Sequence, residues 1–121
     1  MVTIETTADE LIVRPQGLHR FLAFASEVRV PLAHVVSAAR AEEEAGGWFH
    51  GIRLPGTNIP GIVTAGTFRD SDGKTFWDVS DPKRAIAIRL RDDGYAKLIV
   101  EVQDVEAALA TIHAALAALR G

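Results

Sequence analysis

A mainly β domain closed by one C-terminal helix is the fold class this sequence predicts, on three observations. Short apolar–polar alternations recur over residues 2–102, the period-two signature of strands with one buried and one wetter face. Turns rich in Gly, Pro and Asp separate them at short, fairly even spacing. Only after Asp104 does the period change: Val105, Leu109, Ile112, Leu116 and Leu119 recur by fours and threes, on one stripe of a helix. About eight or nine short strands followed by a single helix favour an all-antiparallel barrel or sandwich, because a βαβ fold would need helices between its strands.

Taken in order, VTIET and ELIVR are the first two strands, divided by Thr7-Ala8-Asp9. Pro15-Gln16-Gly17 turns the chain into a strand over His19 to Phe24. Val28 and Val30 alternate with Glu27 and Arg29 until Pro31 stops the pattern. Pro31 to His34 suits a single helical turn, since Pro is pre-shaped for a first helical position. Val35 to Ala41 reads as strand on its β-branched start.

Residues 45–66, AGGWFHGIRLPGTNIPGIVTAG, hold six glycines and two prolines, which break helix and ladder alike. The expectation is a long loop returning to strand near Ile62, and loops of that length are disproportionately functional. Phe68 to Val79 is a hairpin turning at Asp70-Ser71-Asp72-Gly73, and Asp81-Pro82 is the next turn. Ile86, Ile88 and Leu90 alternate with Ala87, Arg89 and Arg91. Asp92-Asp93-Gly94 follows, with Gly94 able to supply a positive φ. Leu98, Val100 and Val102 resume the alternation, with Lys97 and Glu101 on the wetter face, and Asp104 is the N-cap of the last helix.

Composition excludes several classes. The 121 residues fit one domain, 1–121, with strands over about 2–102 and the helix over about 104–119. A formal net charge of −3 leaves no global basic field for nucleic acid or anionic lipid. The absence of cysteine removes disulfides, thiol nucleophiles and thiolate metal sites. No apolar run has the length of a signal peptide or membrane span, which points to a cytoplasmic protein.

The motifs that suggest chemistry dissolve on their spacing. Gly73-Lys74-Thr75 ends like a phosphate-binding P-loop, yet the Gly required five residues earlier is Phe68, and strand-like TFWDV follows where a helix is needed. Asp70 and Asp72 begin like a calcium loop, yet its sixth position is Thr75 and its twelfth Asp81. His19, His34, His50 and His113 lie at least fifteen residues apart, which is not zinc-ligand spacing. No serine stands in a G-x-S-x-G context. Neither a catalytic residue, a metal site nor a cofactor is assigned, and the chain is read as non-enzymatic. Trp48, Phe49, Trp77 and Tyr95 are read chiefly as core or rim packing, with Trp48 and Phe49 as anchors for a partner protein or a membrane interface if they stand exposed at a loop tip.

Residues 54–112 contain Gly56-Thr57, Pro60-Gly61, Gly66, Phe68, Gly73 and Asp81, then a paired-strand-plus-helix ending. This pattern, over roughly half the chain, resembles the bacterial pleckstrin-homology (PH)-like domain family. The resemblance implies a PH-like barrel of two near-orthogonal antiparallel sheets capped by the C-terminal α-helix. Phosphoinositide-binding PH domains need several basic residues around the loop between the first two strands. The comparable turn here, RPQGLHR, offers Arg14 and Arg20 with His19, which argues against membrane or phosphoinositide binding.

The functional expectation is a non-enzymatic PH-like interaction domain with a protein partner or with itself, through an exposed strand edge. The alternative is a small-molecule or lipid-binding module using the Gly/Pro-rich loop 45–61, with Trp48, His50, Arg53 and Asn58 as contacts.

Overall fold

In the computed structural model the described residues are 2–15, 27–41, 64–70, 73–79 and 81–120, with 64–70 and Pro82 described by their backbone alone. They form a mainly β structure of two sheets and one helix. The strands are β1 Val2–Thr6, β2 Glu10–Pro15, β3 Val28–Pro31, β4 Val35–Arg40, β5 Thr64–Asp70, β6 Gly73–Val79, β7 Ala85–Leu90 and β8 Lys97–Glu101, and the helix is α1 Val105–Arg120. The expected strand over His19 to Phe24 lies outside the described residues.

The first sheet is an antiparallel meander, β1-β2-β3. Thr7 shapes its first turn, because its Oγ1 accepts from the amide of Glu10 at 3.0 Å while its own amide donates to the Glu10 carbonyl. After Pro31 a single 3₁₀ turn, Leu32–His34, carries the chain into the second sheet. That turn is tied to both sheets, since Leu32 N donates to Asp9 O and Arg91 N donates to His34 O, each at 2.9 Å.

The second sheet has the order β4-β7-β8-β6-β5 and is mixed. β6 and β8 run parallel, with Thr75 beside Lys97 and Asp78 beside Val100. The all-antiparallel expectation is therefore corrected. The cause is the link from β6 to β7, which steps over the end of β8: a 3₁₀ turn at Pro82–Arg84 is pinned by Val102 N donating to Arg84 O at 3.0 Å. β8 then returns between the two strands already laid down. The expected closed barrel is corrected as well, since among the described residues no strand of one sheet pairs with a strand of the other.

Helix α1 bridges the sheets, touching β1 on one side and β4 and β7 on the other. Asp104 caps it as expected, with Oδ1 accepting from Ala107 N at 3.0 Å. Its buried stripe is Val105, Ala108, Ile112 and Leu116, with Leu109 partly buried beside it. Leu119, expected on that stripe, is 43% exposed; the buried spacing of three, four and four turns the last Leu out. The main core joins this stripe to Leu11, Val13, Val30, Leu32, Phe76, Ile86, Ile88, Leu98 and Val100.

Both faces of the central strands are buried. Ala41, Val79, Ala85, Ala87 and Ile99 form a second apolar cluster. Glu101, expected on a wetter face, is only 1% exposed, because β8 lies between β7 and β6 with both of its faces covered.

Candidate functional site

The residues the sequence nominates for contact, Trp48, His50, Arg53 and Asn58, lie outside the described residues, as does the whole of loop 45–61. The structure brings none of them to a described site. The aromatics within the described residues do pack: Tyr95 meets Phe76 edge to face at 6.1 Å, and Lys74 Nζ stands 5.2 Å from the Tyr95 ring centre.

Both described histidines are bound into the frame. His34 Nδ1 is 2.8 Å from Asp93 Oδ2, whose other oxygen accepts from Tyr95 N, so the pair joins the inter-sheet turn to the β7–β8 turn. His113 Nε2 donates to the carbonyl oxygen of Ala38 at 2.9 Å. Among the described residues no group of three or more His, Cys, Asp or Glu could hold a metal. Nor is any described helix long and apolar enough to cross a membrane.

An open cleft of about 610 Å³ lies at the start of α1, lined by Arg40, Lys83, Arg84, Gln103, Asp104, Val105 and Glu106. Its charges are largely spent on one another. Arg40 pairs with Glu106, and Arg84 Nη2 stands 3.0 Å from Oε2 of the buried Glu101. Glu101 Oε1 accepts from Asp81 N, and Asp81 Oδ2 lies 3.4 Å from Arg84 Nε. Asp104 already occupies an N-terminal amide of the helix. The cluster is a strut that holds the β6–β7 link over β8; sequence reasoning misses it because Glu101 reads as one polar position in an alternating strand.

The sheet edges differ more informatively. β1 lies against α1. β3 is four residues long and ends in Pro31, and its exposed Arg29 pairs with Glu27 and Glu10. β4 carries a bulge between Val35 and Ser37. Ala41 N donates to Ala85 O, so alternation along β4 points the Ala38 backbone away from β7, where His113 covers its carbonyl. Short length, Pro, charge, bulges and covering elements are the devices that blunt an edge.

Among the described residues β5 is the other end of that sheet, and it is built differently. Its seven residues pair with β6 in unbroken register from Thr64 opposite Val79 to Asp70 opposite Gly73. The outward backbone groups follow from the ladder. Leu90 N donates to Ala96 O and Val102 N to Arg84 O, so the even-numbered backbones of β7 and β8 face each other. The odd-numbered backbone of β8 then faces β6, whose even residues answer it; Lys74 O points to that side too, accepting at 2.7 Å from Ala96 N just before β8 begins. Thr75, Trp77 and Val79 are left to bond Phe68, Gly66 and Thr64. The N–H and C=O groups of Ala65, Thr67 and Arg69 therefore point away from β6, where no described strand pairs with them.

Compared with protein families, with curated proteins and with solved structures, the chain matches none.

Proposed function

We propose that this chain is a non-enzymatic interaction domain that accepts a further β-strand along β5. One observation carries the reading: among the described residues, of the four strands that end the two sheets, β1, β3 and β4 are covered, short or bulged, whereas β5 presents three successive pairs of backbone groups away from β6 along an unbroken seven-residue strand. Strand addition gives affinity through main-chain bonds and needs no pocket. The commitment of His34 and His113 to the frame supports binding over chemistry. The PH-like reading rests on the pattern from Gly56 to Asp81 and on the C-terminal helix laid across two sheets; the parallel β6–β8 pair departs from it. No described residue favours the alternative module at loop 45–61.

A Thr67→Pro variant tests the reading. Its lost N–H is an outward one, so the fold survives, as Pro is tolerated where an edge amide faces away from the ladder. The expected result is an unfolding midpoint close to that of the parent and loss of the complexes the parent forms as bait, whereas Gly66→Pro, which removes a bond to Trp77, unfolds the sheet. Complexes that persist in a folded Thr67→Pro chain contradict the reading.

A further inference from the structure

Resting on that reading of β5, we infer that the added strand is β5 of a second copy of this chain, paired antiparallel about a two-fold axis through Thr67. The outward groups belong to Ala65, Thr67 and Arg69, a set symmetric about its middle member. Two copies in this register place Thr67 opposite Thr67 and Ala65 opposite Arg69, so every outward N–H and C=O from 65 to 69 finds a partner, with two bonds at each of the three pairs. An isologous contact of this kind closes on itself and stops at a dimer.

Charge favours the same arrangement. The charged residues of β5, Arg69 and Asp70, both stand at its hairpin end. Antiparallel pairing sends them to opposite ends of the contact, across from Ala65 and Thr64, whereas a parallel pairing in register would set Arg69 beside Arg69 and Asp70 beside Asp70, which is destabilising. The five residues from Thr64 to Phe68 carry neither charge nor Pro, so β5 lacks the gatekeepers that β3 has in Arg29 and Pro31.

The chain has no cysteine, so single cysteines report the register directly. Partners in a hydrogen-bonded antiparallel pair have Cα atoms about 5.5 Å apart, within disulfide reach. Under mild oxidation Thr67→Cys is expected to give a covalent dimer by itself. Ala65→Cys and Arg69→Cys are expected to cross-link only when mixed with each other, and the unsubstituted chain to show a native mass of two chains at high concentration. A native mass of one chain at every concentration, with no covalent dimer from the Thr67→Cys chain, overturns the inference. So does an Ala65→Cys chain that cross-links to itself. Neither result touches the strand-accepting reading, which fails separately if Thr67→Pro leaves complexes intact.

Discussion

His113 on α1 donates from Nε2 to the carbonyl oxygen of Ala38 at 2.9 Å, across 75 residues of sequence. The bond covers an outward carbonyl of β4, so one side chain both docks the helix and blunts a sheet edge. Together with the Val35–Ser37 bulge, it leaves the two ends of the second sheet unequal.

Replacing His113 by Ala removes that bond while leaving the apolar stripe of α1 in place. The expected loss is about 1 kcal/mol of unfolding free energy, the usual net worth of one such bond, measured by urea denaturation. Leu119→Ala, at a 43% exposed position on the same helix, should stay within about 0.5 kcal/mol. Faster aggregation of His113→Ala than of Leu119→Ala at equal stability would report the uncovered β4 edge.

Arg84 and Glu101 give an asymmetric pair of truncations. Glu101 is buried and Arg84 is 41% exposed, so Arg84→Ala strands a buried charge while Glu101→Ala frees a guanidinium that can turn to solvent. Breaking a buried pair costs about 3–5 kcal/mol. With Arg84 41% exposed the pair is only half buried, so Arg84→Ala belongs at the lower end of that range and Glu101→Ala below it. The double change Arg84→Met with Glu101→Leu should recover most of the loss, as chemical denaturation of the set would show.

Glu27 gives the chain an acid-sensitive contact. The hydrogen bond from the Arg29 guanidinium holds its carboxyl below the usual range, outweighing a desolvation that pushes it up, with Arg29 and Arg14 charges adding to the lowering. A carboxyl lowered by folding contributes stability above its unfolded pKa and loses it as pH falls through the folded one. The stability gap between the parent and Glu27→Gln should therefore be open at neutral pH and narrow as pH falls below the ordinary carboxylate range. A gap that widens toward acid contradicts the sign.

Of the two turn glycines Gly73 and Gly94, one departs from its sequence reading. Gly94 is the residue expected to need a positive φ, yet the left-handed position in that turn is Asp92 at φ 55°, a conformation Asp tolerates better than most residues. A Cβ on Gly94 meets nothing within 4 Å. Gly94→Ala is expected to stabilise by about 0.5 kcal/mol through the unfolded chain. Gly73 has φ 123°, and a Cβ there would stand 3.3 Å from Ala96 Cβ, so Gly73→Ala should cost more than about 1 kcal/mol. Thermal unfolding of the two variants separates them.

Local pattern makes most of the elements legible. Alternation locates β1, β2, β3, β7 and β8 to within a residue or two, Pro31 the turn between the sheets, and Asp104 the helix cap. Pairing is a different matter, because period two states which residues share a face and is silent on which strand lies alongside. The insertion of β8 between β6 and β7 depends on a link whose bonds, Val102 N to Arg84 O and Arg84 to Glu101, join residues far apart in the pattern. Glu101 reads as solvent-facing for the same reason: its burial is a property of the strand's central place in the sheet. The contrast between β4 and β5 is equally hidden, since His113 and Ala38 are neighbours only after folding. The nominated contacts Trp48, His50, Arg53 and Asn58 lie outside the described residues.

The most direct test of the strand-accepting edge is residue-resolved amide hydrogen exchange along β5 in dilute and in concentrated protein. In dilute protein Gly66 and Phe68, bonded to β6, should exchange slowly while Ala65, Thr67 and Arg69 exchange fast. In concentrated protein the latter three should slow together as the edge is filled. Equal protection of all five amides in dilute protein would contradict the account, because β5 would then be no open edge at all.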